Sequence, residues 1–187
     1  MGRGENPEGG ALGLSSARRR TPQHAEGGAR TEEMRRLHGT LLTSREILSL
    51  ADRLHYDRMP HELAREDYRE LKDQFLMLHH HGQSLERALL MQERDAGARL
   101  GDRIPAARRF QTPNTVWLEG ESLEERARFA AEAIGERLGK VREDNAYIAH
   151  RTNSLKMAAA VARVLSRMQE RVKRIDELLA AKQPAAA

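Results

Sequence analysis

The feature that most constrains the fold is a heptad repeat of apolar side chains between Glu62 and Gly101. With Tyr68 at the first position of the repeat, apolar residues recur at the first and fourth positions over about four heptads, which is typical of a helix that pairs with another helix. Glycine and glutamine interrupt the repeat at positions 82 and 92. The helix-pairing seam predicted here consists of Tyr68, Leu71, Phe75, Leu78, Leu85 and Leu89.

The composition favours an all-α fold without a thick globular core. Charged residues make up 32% of the 187 residues and aromatic residues only 4%, so the large side chains that normally fill an interior are scarce. The frequent Ala, Leu, Glu, Arg and Gln are strong helix formers. We therefore expect long helices that form a coiled coil or a helical hairpin.

A second seam follows a capping box, Ser122-Leu123-Glu124-Glu125, and no proline interrupts it before Pro184. The pattern predicts one long helix over 121–183. Its seam, with a three-residue slip after Leu155, consists of Ile134, Leu138, Val141, Ile148, Leu155, Leu165, Met168, Val172, Ile175 and Leu179. The segment 62–101 is too short to cover this stripe, so we expect the stripe's C-terminal part to be exposed as an assembly surface.

Asn145 interrupts the second seam, and two interpretations remain open. A buried polar residue in a seam can fix register, whereas a solvated one would mark a stretch that is only partly paired.

Glycine and proline divide the chain into five segments. Residues 1–30 hold many glycines and few large apolar residues, which indicates a disordered tail. Residues 31–101 form the first helical segment, 102–120 a linker, 121–183 the long helix and 184–187 a short tail. Within 32–58 the pattern allows either one helix with a phase shift or two short helices, the second starting at a capping box of Thr43 and Glu46.

Candidate binding residues are few. Arg109, Phe110 and Trp117 lie on the linker, and Trp and Arg are enriched at protein interfaces, although Trp117 could equally pack back against a helix. The run His79-His80-His81 cannot converge on one metal ion, because adjacent helical residues point about 100° apart. We find no motif for catalysis, a metal or a cofactor, and we expect the protein not to be an enzyme.

Charge and cysteine content limit the choice of partners and compartment. The 32 basic and 28 acidic residues are interleaved, as on a solvated helix surface, so nucleic acid is not the expected partner. The chain has no Cys, which fits a reducing compartment, and no apolar run approaches the ~20 residues of a membrane span. We expect other coiled-coil or cytoskeletal proteins, or a second copy of the chain, as partners in the cytoplasm.

One stretch resembles a known family. Ala64-Arg65-Glu66-Asp67-Tyr68 followed by Asp73-Gln74-Phe75-Leu76-Met77-Leu78-His79 is similar to the N-terminal coiled coil of the retinitis pigmentosa GTPase regulator-interacting protein family, where Ser-Arg-Glu-Glu-Leu leads into Asp-x-Phe-Leu-x-Leu-His. The resemblance covers about 40 of the 187 residues. It implies a scaffold of the ciliary transition zone, and hence a place in the cytoskeleton at the cilium or basal body.

The sequence thus predicts a non-enzymatic coiled-coil scaffold, or a structural component of a ciliary, flagellar or other cytoskeletal assembly. The alternative is a nucleic-acid-associated accessory subunit of a ribonucleoprotein that uses its basic tail and the linker arginines Arg103, Arg108 and Arg109. The alternative predicts nucleic-acid affinity that falls steeply with salt.

Overall fold

Four α-helices account for nearly all of the chain that the structure, a computed structural model, describes: residues 23–56, 68–100, 118–151 and 155–182. Helix α1 is Gln23–Tyr56, α2 is Arg69–Leu100, α3 is Leu123–Arg151 and α4 is Leu155–Ala181. No strand occurs in these ranges, and the all-α prediction is confirmed.

The capping box at the start of α3 forms as the sequence predicts. The Ser122 hydroxyl accepts a hydrogen bond from the Glu125 amide at 3.2 Å, and the Glu125 carboxylate accepts from the Ser122 amide at 3.0 Å. The amides of Ser122 and Glu121 both donate to this carboxylate and lower the pKa of Glu125. Gly120, with φ of 128°, supplies the turn that precedes the cap, a backbone conformation that other residues rarely adopt.

The helices form a four-helix bundle in which α1 and α4 are diagonal to each other, and each packs against both α2 and α3. All four neighbouring pairs are antiparallel. On α1, for example, Arg45 pairs with Glu86 of α2, and Glu46 pairs with Arg137 of α3. On α4, Arg174 bonds Glu70 near the start of α2, while Ala158 accepts a hydrogen bond from Asn145 near the end of α3.

Because α2 and α3 run in the same direction, the end of α2 and the start of α3 lie at opposite ends of the bundle. The Tyr68 hydroxyl, beside the start of α2, donates to Glu124 in the first turn of α3. Leu100, at the other end of α2, is ~48 Å away along a 32-residue helix. The bundle therefore has one long crossover connection, between α2 and α3.

The C-terminal segment corrects the sequence prediction. The predicted single helix over 121–183 is two helices, because α3 ends at Arg151 and α4 begins at Leu155 and packs back against α3. The expected exposed stripe is therefore covered: Ile175 and Leu179 are buried, and Val172 packs partly buried against the core. Folding back gives four helices of 34, 32, 29 and 27 residues, similar enough in length to cover one another.

The N-terminal boundaries also differ from the prediction. Helix α1 begins at Gln23, so residues 23–30 of the predicted disordered tail are helical, while residues 1–22 lie outside the described part. The segment 32–56 belongs to one helix rather than two. The Thr43 hydroxyl donates to the Gly39 carbonyl inside that helix, and Glu46 bonds Arg137 instead of forming a cap.

Gly82, the interruption in the first seam, lies where α1 and α2 approach closely. A Cβ atom at this position would be 2.8 Å from Cδ2 and 3.1 Å from Cγ of Leu48 on α1. A side chain here would have to displace Leu48. Gly139 of α3, by contrast, has open space around the same position.

We expect Gly139→Ala to stabilise the fold by about 0.5–1 kcal/mol, because alanine loses less backbone entropy than glycine in a helix. Gly82→Ala should show none of this gain, because the new methyl group must displace Leu48. Urea unfolding followed by circular dichroism measures both values. Equal stabilisation by the two substitutions would show that α1 and α2 do not pack closely at Gly82.

Candidate partner-binding surface

The residues of the two predicted seams mostly face the interior of the bundle. Tyr68 and Val172 are partly buried, and Leu155 is an exception because 67% of it is exposed at the start of α4. The prediction that Leu155 lies in the seam is therefore wrong, since the break between α3 and α4 changes the helical phase there. The buried members are Leu71, Phe75, Leu78, Leu85, Leu89, Ile134, Leu138, Val141, Ile148, Leu165, Met168, Ile175 and Leu179.

The other predicted contact residues are not brought together. Arg109, Phe110 and Trp117 lie outside the described residues. The three adjacent histidines have different main contacts: His79 contacts Asp52 of α1, the exposed His80 lies edge-on to the His79 ring at 5.6 Å, and His81 faces α4. Within the described ranges, no group of three or more His, Asp or Glu side chains is arranged to hold a metal ion.

Asn145 is buried and hydrogen-bonded, which agrees with the interpretation that it fixes the register of the helices. Its amide nitrogen donates to the Ala158 carbonyl of α4 at 3.0 Å, and its amide oxygen accepts from Gln92 of α2 at 3.4 Å. One side chain thus connects three helices. The Gln92 amide oxygen is buried without a hydrogen-bond partner among the described residues, so this polar contact is only partly satisfied.

A second polar cluster ties α1 to α3. Arg36 bonds Glu32 on its own helix and Asp144 on α3, and its guanidinium lies 4.0 Å from the centre of the Tyr147 ring. Hydrogen bonds from Arg35 and Arg36 lower the pKa of Glu32 to about 2. The cluster lies near the same end of the bundle as Asn145, so two sets of directional contacts fix the register there.

Arginines form a stripe on the side of α4 that faces α2. Residues 163, 167, 171 and 174 of α4 are all arginine, at spacings of three and four that place them on one face. Arg171 donates to Gln74 of α2 at 3.2 Å, and Arg174 bonds Glu70 of α2 as well as Glu177. The C-terminal half of the stripe is therefore satisfied by groups within the bundle.

The N-terminal half of the stripe is not satisfied in this way. Arg163 and Arg167 are exposed, and neither forms a hydrogen bond or ion pair with another residue of the described ranges. Arg167 lies near His81 of α2: burial first, and then the positive charges of Arg171 and Arg167, lower the pKa of the His81 ring. Uncompensated positive charge thus collects along the boundary between α2 and α4.

An open groove lies next to this charge, where the last turns of α2 meet the first turn of α4. It has a volume of about 370 Å³ and is lined by Met91, Arg94, Asp95, Ala98 and Met157. Met91 is 60% exposed. Among the described residues, Leu155 is the one other large hydrophobic residue that is exposed. We call this set of five residues the α2–α4 groove.

Sequence reasoning missed the α2–α4 groove, although the sequence contains two signals for it. Met91 falls at the third position of the heptad, outside the seam, where a large apolar side chain has no helix to pack against. The residues four positions before and after Arg163 and Arg167 are alanine or arginine, so no acidic residue at that spacing can pair with them. Neither signal shows that α2 and α4 are neighbouring helices.

Comparison with known proteins identified no relative: no family model, curated protein or solved structure matches the chain. None of the described helices has a stretch long and apolar enough to cross a membrane.

The three-helix polar contact generates a prediction. Asn145→Leu should destabilise the protein by about 1–3 kcal/mol, because it leaves the amide of Gln92 buried without its partner. The double substitution Asn145→Leu and Gln92→Leu should recover much of that loss, since no polar side chain remains at the contact. Denaturant melts of the four proteins form the double-mutant cycle, and a coupling energy near zero would show that the two amides do not interact.

The acidic pair at the other end of α3 and α4 generates a pH prediction. Partial burial and the nearby Glu132 carboxylate raise the pKa of Asp176, while Arg128 opposes the shift. Because the pKa is raised in the folded state, the folded protein disfavours the ionised form of Asp176. The free energy of unfolding therefore falls as pH rises from 3.8, the ordinary pKa of an aspartate, through the folded-state pKa.

Asp176→Asn should therefore raise the free energy of unfolding at neutral pH by up to about 0.5 kcal/mol, a small value because the carboxyl is partly exposed. The gain should vanish at about pH 3, where the wild-type carboxyl is protonated. Thermal melts at the two pH values measure it, with Glu136→Gln on the exposed face of α3 as the charge-matched control. A gain of equal size at both pH values would assign the effect to packing instead.

Proposed function

We propose that this chain is a non-enzymatic scaffold protein whose four-helix bundle holds partner proteins on its outer surface. One observation carries the proposal: Met91 is 60% exposed in the α2–α4 groove, while the seams of the helices are used within the chain. A large apolar side chain that remains exposed beside unpaired charges is typical of an interaction site. The polar contacts between helices support a rigid body that presents this surface in a fixed shape.

We further propose that the scaffold belongs to a ciliary or other cytoskeletal assembly. The support is the resemblance of residues 64–79 to the N-terminal coiled coil of the retinitis pigmentosa GTPase regulator-interacting protein family. In this chain Phe75 and Leu78 of that stretch pack inside the bundle, so a partner would bind elsewhere on the surface. The proposed location is the cytoplasm, at the cytoskeleton and at the cilium or basal body.

The nucleic-acid alternative has one supporting observation. Arg87, Arg163 and Arg167 are exposed and form no ion pair with any residue in the described ranges, as expected of side chains free to contact phosphates. An accessory subunit of a ribonucleoprotein would use these arginines together with those of the 102–120 segment.

A tagged copy in ciliated cells tests the scaffold proposal by imaging and proximity labelling. We expect the protein at the basal body, cilium or cytoskeleton, and labelling of proteins from those structures. Nuclear or ribosomal localisation that is lost on ribonuclease treatment would contradict the proposal and favour the alternative. Purified protein adds a second measurement, because binding to RNA that weakens steeply between low and physiological salt is expected only of the alternative.

A further inference from the structure

The α2–α4 groove combines an apolar floor with a positively charged rim. Its floor is apolar, formed by Met91, Ala98 and Met157. Methionine is common at binding surfaces because its flexible, polarisable side chain adapts to the shape of a partner. The groove is open to solvent along the line where the two antiparallel helices meet, so an elongated partner can lie along it.

The rim of the groove carries a clear excess of positive charge. Arg94 lines the groove. Arg87 precedes Arg94 by seven residues, about two turns of α2, so the two arginines share a face of the helix. On α4, Lys156 and Arg163 are seven residues apart, so they share a face, and both are exposed. None of these four cations has an ion pair with a residue that the structure describes.

The carboxylates near the groove do not balance this charge. Asp95 is the acidic residue in the lining, and it already has an interaction partner. Glu170 lies one turn beyond Arg167 on α4, farther from the groove. A partner that supplies carboxylates would therefore gain attraction from several cations at once.

The undescribed segments of the chain do not supply that partner, because of their charge or because of where they are attached. Residues 101–117, which follow α2 directly, contain three arginines and one aspartate. Residues 1–22 contain four arginines and two glutamates. Both segments are basic, like the rim of the groove. Residues 57–67 contain four acidic and two basic residues, but they connect Tyr56 to Tyr68 beside the start of α2, which is ~35 Å from Met91 along the helix. The complementary charge therefore has to come from another protein.

We propose that the α2–α4 groove binds an amphipathic helix of another protein, one with acidic residues beside its apolar stripe. This inference rests on the proposed scaffold function and names the chemistry of its partner. Met91 and Ala98 are seven residues apart on α2, which is two helical turns or ~10 Å. That spacing fits the apolar anchors at positions i, i+3, i+4 and i+7 of a helix laid in a groove.

The composition of the groove favours a protein segment over nucleic acid. Proteins that bind single strands stack the bases on aromatic side chains, and none of the five lining residues is aromatic. An apolar floor adds nothing to phosphate binding. An acidic amphipathic helix uses both the floor and the rim.

Peptide phage display on the full chain tests the proposal. Selection on the wild-type protein, with counter-selection on the variant Arg163→Glu/Arg167→Glu, should enrich peptides with Asp or Glu beside apolar residues at helical spacing. Enrichment of basic peptides, or recovery of the same peptides by the variant, would overturn the proposal. So would a failure to enrich any sequence pattern.

Affinities of one enriched peptide, synthesised with a fluorescent label, give the quantitative test by anisotropy. The variant Arg163→Glu/Arg167→Glu should weaken binding at least about tenfold, because attraction becomes repulsion at two positions. Met91→Ser should also weaken it several-fold by removing apolar contact. Circular dichroism confirms that each variant keeps its helices.

Matched controls carry the same chemical changes on other surfaces. Lys72→Glu/Lys140→Glu makes the same change of charge at exposed positions, and Leu155→Ser removes the other large hydrophobic side chain that is exposed among the described residues. Both should bind the peptide as the wild type does. Equal weakening by either control, or displacement of the peptide by a single-stranded DNA oligonucleotide, would contradict a groove for an acidic helix.

The scaffold proposal and the groove proposal can fail separately. If the Met91→Ser and Arg163→Glu/Arg167→Glu variants keep the wild-type location and proximity-labelled proteins in cells, the scaffold stands and the groove is overturned as its partner site. If the wild type labels no cytoskeletal or ciliary protein, the scaffold proposal fails whatever the peptide binding shows.

Discussion

The packing of α4 against both α2 and α3 is the constraint on which the rest of this structure depends. Each helix here carries one apolar stripe, and a helix with such a stripe is stable in water only when another helix covers it. Two helices cover each other along one line, whereas four helices enclose a shared interior. Val161, Leu165 and Met168 of α4 are buried on that inner side. Without the return of α4, the sides of α2 and α3 that α4 covers would face solvent.

Polar contacts decide which arrangement of the four helices forms, because apolar stripes alone would permit several. Arg45 and Glu46 are adjacent on α1, so their side chains point about 100° apart, and they pair with α2 and α3 respectively. A slip of one residue along α1 would break both ion pairs. Each pair contributes little energy, but together with the Asn145 contact they favour one register over its neighbours.

The sequence predicted the helices and their inward faces far better than it predicted how they assemble. Apolar residues at heptad positions fixed the buried sides of α2 and α3, because solvent exclusion depends only on local spacing. The break before α4 was missed because the stripe resumes after the interruption, so periodicity alone still fits one helix. The three-residue slip after Leu155 was the signal, together with Thr152-Asn153-Ser154, a run of weak helix formers that favour helix caps. The α2–α4 groove could not be predicted, because it requires knowing which helices are neighbours.

The arginine stripe on α4 shows how neighbouring helices give one residue type two different roles. Arg171 and Arg174 face Gln74 and Glu70, whose oxygens accept their hydrogen bonds, so these arginines hold α4 against α2. Farther along α2, toward its C-terminal end, the same side presents imidazole and methionine side chains, which cannot neutralise a guanidinium. The charge of Arg163 and Arg167 is therefore left to solvent or to a partner. The outer surface differs along the bundle because Gln74 and Glu70 accept from Arg171 and Arg174, whereas no described residue of α2 bonds Arg163 or Arg167.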